Sequence, residues 1–112
     1  MSPLKIAARD AATGPVLHIL GDLDYTTAHQ VREHLTALTL QRGQRLVLDL
    51  ARLDFCDSSG ITVLIAAHNQ ATAAHATLVL AAVPDNTLRI LRIVGLDQLF
   101  PLYADTTAAT ST

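Results

Sequence analysis

Apolar and polar positions change period several times along the chain, and each change marks an element. Leu4 to Arg9 and Val16 to Leu20 read as two strands, with Ala12-Thr13-Gly14-Pro15 as the turn between them. Gly14 permits an unusual backbone there and Pro15 fixes the entry to the second strand, so a hairpin is expected. Gly21-Asp22-Leu23-Asp24 then leaves the sheet. Thr27-Ala28-His29-Gln30 has the pattern of a capping box, in which the Thr27 hydroxyl accepts a backbone amide and Gln30 reaches back. Val31, Leu35 and Leu38 follow on one helical face, with Arg32, Glu33 and Gln41 on others and Gly43 as a stop.

The next segment, Arg45 to Leu50, is nearly continuous aliphatic, as in a central strand covered on both faces. Ile61 to Ala74 returns to a helical period and points Ile61, Leu64, Ile65 and Ala71 at the core. Thr77 to Ala81 is strand-like again. Pro84-Asp85-Asn86 opens a third helix, with Leu88, Leu91 and Val94 inward and Gly95 as its end. Leu99 to Tyr103 predicts a last short strand, placed at an edge because Pro101 has no amide to donate to a central ladder. Ala104 to Thr112 is small and polar with no core-facing pattern. It predicts a flexible tail over 104–112 behind a domain that spans 1–103.

The order β-β-α-β-α-β-α-β predicts an α/β fold: a mixed sheet of four to five strands with three to four helices packed against it. The crossovers through 27–42 and 58–75 should be right-handed. Sheets of this kind carry their functional groups on turns that leave the C-terminal ends of strands, which here are 21–27 and 53–60.

The second of these turns, Asp54-Phe55-Cys56-Asp57-Ser58-Ser59-Gly60-Ile61, concentrates acids, hydroxyls and a glycine between a strand and a helix start. A serine hydroxyl there is expected to be exposed and backed by free amides, a setting that carries phosphate well. Three roles are open for Ser58 and Ser59: helix cap, nucleophile, or phosphorylation switch. One serine can cap the helix, and Ser58 is expected to; Ser59 then lies in the first turn and faces solvent, and Gly60 leaves room for a partner's backbone. Asp57 and Asp54 stand as solvated turn acids or a competing cap, or else position the hydroxyl or coordinate a metal carried by a nucleotide. Asp24, in the other turn, either reaches the same region or closes a local Asx turn.

Composition narrows the classes. A length of 112 residues makes one domain, and with half of them apolar there is enough to build a core. The aromatics are only Phe55, Phe100, Tyr25 and Tyr103, so Leu, Val, Ile and Ala must fill it. A net charge of -2 argues against a nucleic-acid or membrane-surface binder. Cys56 is the only cysteine, which rules out an internal disulfide, fits a reducing compartment and suits a small buried hydrophobe. Lys5 is the only lysine, and the Arg and Ala richness points to a high-GC genome. No signal peptide is visible and no apolar run approaches the roughly 20 residues of a bilayer span, so a soluble, cytoplasmic chain is expected.

Catalytic signatures are missing. There is no Gly-x-Ser-x-Gly elbow around Ser58-Ser59, and no histidine has a recognisable orienting partner in sequence. His68 and His75 suit the C-terminal end of a helix, and His29 and His34 lie about 140° apart on one and cannot share a metal. No zinc, nucleotide-loop or calcium-loop spacing occurs. An enzyme is not expected, nor a cofactor or metal.

Gly21-Asp22-Leu23-Asp24 with Thr27-Ala28, Leu48-Asp49-Leu50, Asp57-Ser58-Ser59-Gly60-Ile61, and Ile93-Val94-Gly95-Leu96 before Leu99-Phe100 together form a pattern. Over about residues 4 to 103 the chain resembles STAS domains, most closely the stand-alone anti-sigma-factor antagonists of bacteria. The resemblance implies that Ser59 accepts a phosphate, with Ser58 as the secondary candidate. It also implies a partner surface of Asp24, Thr27, Asp57, Ser58, Ser59 and Gly60. The implied partners are an anti-sigma factor that is also a serine kinase of the histidine-kinase-like ATPase fold, and a PP2C-type phosphatase that resets the switch. The ATP belongs to the kinase, and neither nucleic acid nor membrane is involved. Such antagonists usually end in an amphipathic C-terminal helix, for which 104–112 has no large apolar residue, so a homodimer could cover the gap. The alternative within the family is a non-phosphorylated scaffold subunit of a lipid-transport or stress-signalling complex.

Overall fold

In the computed structural model, which describes residues 3–111, strands β1 (Lys5–Ala11) and β2 (Gly14–Leu23) form the expected antiparallel hairpin. β2 does not stop at Leu20. Gly21 to Leu23 stay in the sheet and pair in parallel with β4 (Leu53–Cys56), a strand the hydropathy pattern hid. The four residues of β4 are buried, exposed, exposed and buried, so they show no period of two. β2 is therefore shared. Its first half pairs with β3 (Arg45–Asp49) through Val16 to His18, and after a register shift at Gly21/Asp22 its second half pairs with β4.

The sheet order is β1-β2-β3-β5-β6 with β4 on the end of β2, where β5 is Thr77–Ala81 and β6 is Leu102–Tyr103. Among the described residues the sheet has six strands, mixed in direction, and β6 lies at the edge as Pro101 requires. Leu46, Val47 and Leu48 of β3 are all buried, which is the two-sided cover their aliphatic run implied.

Helices α1 (Ala28–Ala37), α2 (Ser58–Ala73) and α3 (Asp85–Ile93) supply Val31, Leu35, Leu64, Ala67 and Leu91 to the main core, against Leu17, Ile19, Leu48 and Leu80 from the sheet. Each Val, Leu and Ile among these contributes on the order of 1.5–3 kcal/mol by leaving water, and Ala67 less. α1 ends well before Gly43, because Leu38 turns to an extended backbone with ψ 141° and packs on the core from outside the helix. Gly43, at φ 84°, instead bends the chain into β3. In α3 Leu91 is buried as expected, whereas Val94 is 55% exposed because it follows the last helical residue.

The other sheet face is covered at one side only. Val16, Val47, Val79 and Ala81 pack beneath Ala109 of α4 (Thr106–Ala109). This short helix stands where the polar pattern predicted a tail with no core-facing residue, and Ala109 is fully buried. Alanine carries little hydropathy, so its inward role left no trace in the pattern. Asp105 caps α4 by accepting from the Ala108 amide at 2.8 Å, and Arg45 Nη1 donates to the carbonyls of Ala109 (3.1 Å) and Ser111 (2.7 Å). Thr112, the last residue of the expected tail, lies outside the described residues.

Candidate functional site at the serine turn

The pairing of β2 with β4 sets the two candidate turns side by side. Asp22 lies beside Phe55 and Leu23 beside Cys56 in the ladder. Past the strand ends the amide of Asp57 donates to the Leu23 carbonyl at 3.3 Å, and the amide of Tyr25 donates to the Asp57 carboxylate at 3.3 Å. Turns 21–27 and 53–60 are thus one surface joined through Asp57.

Asp57, not Ser58, caps α2. Its backbone is extended, and its Oδ1 accepts from the amides of Ser59 (2.8 Å) and Gly60 (3.2 Å). The reason is positional. β4 ends at Cys56, so the first residue free to take a cap conformation is Asp57, and a carboxylate there reaches both amides. Ser58 becomes the first helical residue and is exposed, while Ser59 follows it half-buried. Neither serine hydroxyl has a hydrogen-bond partner among the described residues. The expected row of free amides behind the serines is mostly filled: of the helix-start donors only the Ser58 amide stays open.

Gly60 is dictated by its surroundings. A Cβ there would lie 2.5 Å from Cys56 Sγ and 2.9 Å from the Leu23 carbonyl oxygen, so α2 approaches the ends of β2 and β4 only because Gly60 has no side chain. Cys56 is the buried hydrophobe its type suggests. Burial, and then the neighbouring Asp57 charge, push its thiol up to about 12.

In the other turn the capping box does not form. The Thr27 hydroxyl bonds backward, donating to the Asp22 carbonyl at 2.8 Å and accepting from the Asp24 amide at 2.9 Å. Because β2 runs on to Leu23, Thr27 is needed to tie off the strand end and makes no side-chain cap bond to α1. Asp24 closes a local turn: its Oδ1 accepts from the Thr26 amide (2.9 Å), the Thr26 hydroxyl (2.7 Å) and the Thr27 amide (3.2 Å). The Thr26 hydroxyl, ahead of the Thr26 and Thr27 amides, holds the Asp24 carboxyl below its usual range against some desolvation, so it stays ionised. Asp54 is exposed.

One histidine does have an orienting carboxylate, and only the fold reveals it. His18 Nδ1 lies 2.6 Å from Asp49 Oδ2, and Arg9 Nε donates to His18 Nε2 at 3.2 Å. These residues are on β1, β2 and β3, not at the serine turn. Among the described residues no imidazole hydrogen-bonds to Ser58 or Ser59, so a base-activated serine nucleophile is not assembled. No group of three or more His, Cys, Asp or Glu among them could hold a metal ion, and no helix is long and apolar enough to cross a membrane.

Sequence reasoning passed over two neighbours of the serines. Tyr25 is 83% exposed and Phe55 48% exposed. In a chain with two Phe and two Tyr, an aromatic in each candidate turn was the available signal.

Helices α1, α2 and α3 pack on one face of the mixed sheet, α4 lies on the other, and the serine-bearing start of α2 stands beside the second turn. The family model of the STAS domain matches residues 5–109, and the chain belongs to that family. The match takes in α4, beyond the expected domain end at 103. Among curated relatives, the anti-sigma-B factor antagonist of Listeria monocytogenes is 28% identical over 86 residues, covering 77% of this chain and 75% of the relative. An anti-sigma factor antagonist from Mycobacterium paratuberculosis superposes with a TM-score of 0.80 at 25% identity, over 91% of this chain and 86% of that one. A STAS-domain protein from Planctomyces limnophilus has the same fold, with a TM-score of 0.81 at 19% identity over 94% of each chain.

Proposed function

We propose that this chain is a bacterial anti-sigma-factor antagonist whose binding to an anti-sigma factor is switched off by phosphorylation at Ser59. The names of its relatives support the antagonist role. The observation that carries the switch is the pair of serine hydroxyls at a helix start, with no hydrogen-bond partner and no imidazole bonded to either among the described residues. Such a hydroxyl is available to an outside kinase.

The unphosphorylated chain binds an anti-sigma factor that is also a serine kinase, and a PP2C-type phosphatase removes the phosphate. Asp24, Thr27, Asp57, Ser58, Ser59 and Gly60 belong to the binding surface. A phosphate adds about -1.5 to -2 charge at neutral pH, beside the Asp57 carboxylate. In a closed interface that charge meets repulsion and loses its hydration, and about 1.4 kcal/mol of either weakens binding tenfold. The exchange takes place in the cytoplasm, and the chain itself performs no chemistry.

Incubation with candidate kinases and ATP, followed by intact mass and peptide mapping, tests this. The wild type and Ser58→Ala gain one phosphate, and Ser59→Ala gains none while still binding the kinase. Ser59→Asp binds more weakly by about tenfold or more. Equal affinity of Ser59→Asp and wild type would refute the switch.

A further inference from the structure

Half of the chain's aromatics, Tyr25 and Phe55, stand one in each of the two joined turns, and both are exposed. We infer that Tyr25 and Phe55 are the anchors of the partner complex, and that the partner face they enter is an apolar recess rimmed by Arg or Lys side chains. The inference rests on the antagonist reading and goes beyond it by naming the anchoring side chains and the partner's chemistry.

Exposure of this kind needs a reason. Phe100 is 2% exposed and Tyr103 is half-buried, so the chain does bury aromatics where its core has room. Tyr25, at 83%, contributes little to the fold, and Phe55, at 48%, leaves about half of its surface outside it. Exposed rings of this size recur as the dominant contacts of protein interfaces, where they fill pockets at the centre of the patch.

Both rings also sit on held backbone. Phe55 lies in β4, in register with Asp22 of β2. Tyr25 is one residue past Asp24, whose Asx turn fixes the segment, and its own amide is bonded to Asp57. Anchors on pre-ordered backbone lose little freedom on binding. Asp57 lies between the two segments and caps α2 as well, so anchors and serines share one support.

Charge selects the occupant. Asp24, Asp54 and Asp57 lie in the same two turns, and 21–27 and 53–60 contain no Lys, Arg or His; Lys5 and Arg52 border them only on the side of Gly21 and Asp54, away from the Asp24 and Asp57 carboxylates that hold the Thr26, Tyr25 and Ser59 amides. A second copy of the chain docked through this surface would set carboxylates against carboxylates. An anionic membrane or a nucleic acid would be repelled in the same way. A protein face that offers guanidinium or ammonium groups around an apolar recess satisfies both the rings and the acids.

Calorimetric titration of the unphosphorylated chain into the ATPase-fold kinase that labels it is the test, at physiological salt. Tyr25→Ala and Phe55→Ala each weaken binding by about thirtyfold or more, and Tyr25→Phe stays within about threefold of wild type. Ile93→Ala, at a residue 77% exposed on α3, binds as wild type does. Melting curves confirm that Tyr25→Ala is folded. Wild-type affinity in both Tyr25→Ala and Phe55→Ala, with Ser59→Asp still impaired, overturns this inference alone. So does a loss in Ile93→Ala as large as that in Tyr25→Ala. A wild-type chain that no such kinase binds or labels overturns the antagonist reading and this inference together.

Discussion

Asp57 carries more of the site than either serine. It caps α2 with one carboxylate oxygen and holds the Tyr25 amide with the other. Asp57→Ala is therefore expected to lower stability by about 0.5–2 kcal/mol, the range of a lost N-cap, and to lower the melting temperature by roughly 4–8 °C per kcal/mol. Differential scanning calorimetry checks this, and Asp57→Asn, which keeps an acceptor, should lose less. Gly60→Ala forces a methyl toward Cys56 Sγ and the Leu23 carbonyl, with an expected cost of about 1–3 kcal/mol. The Cys56 thiol, pushed up to about 12, stays protonated and unreactive toward iodoacetamide at pH 8 until denaturant exposes it. The stability that comes from holding this thiol neutral is complete below the ordinary value of 9.0 and is lost as pH rises toward about 12. The serines were legible in the sequence as a helix start, but their division of labour was not. Asp-Ser-Ser offers successive candidates for the cap, and the choice depends on where β4 ends, which β2 decides from far away in the chain.

At the scale of elements, the misread segments share a cause. β4 shows no alternation because its outward residues are consecutive, and it exists because the end of β2 needs a partner. The capping box at Thr27 was a sound local pattern, but the same hydroxyl had a better use at the end of β2. α4 is built on alanine and threonine, so its attachment rests on the polar contacts of Arg45 more than on hydrophobic area. Arg45 also lies 5.8 Å from the centre of the Tyr103 ring. Arg45→Ala is expected to cost about 1–2 kcal/mol, from two hydrogen bonds and the ring contact. Hydrogen exchange should then quicken at the amides of Ala109 and Thr110, which bond within α4, while those of β3 and β5 keep their protection. Equal exchange in wild type and variant would show that α4 is held by Ala109 alone.

For the whole molecule, the class of fold followed from the order of periods, because β3 and β5 are built on Leu46-Val47-Leu48 and Leu78-Val79-Leu80 and α2 buries Ile61, Leu64, Ala67 and Ala71 at helical spacing. The site was legible as a pair of turns but not as one surface, since no local pattern tells that β2 outlasts its pairing with β3. A net charge of -2 hides how unevenly the acids are placed, with Asp22, Asp24, Asp54 and Asp57 gathered at one end of the sheet. Association with a basic partner should therefore slow as salt rises, since the Debye length falls from about 10 Å at 0.1 M to about 3 Å at 1 M. Stopped-flow mixing at several ionic strengths measures this, and a rate indifferent to salt would mean that the acids do not steer encounter.

The filled start of α2 has a consequence for signal fidelity. Cells hold free phosphate and nucleotides in abundance, and an open helix terminus collects such anions. Here a carboxylate already occupies that place, and a single amide remains at Ser58. Dissolved anions find little to hold them and a negative charge to turn them away. A mark fixed covalently to serine does not depend on such affinity to stay. Under the proposed modification of Ser59, the same carboxylate that begins the helix would insulate the switch from metabolic background, leaving it to respond to an enzyme's act rather than to a concentration.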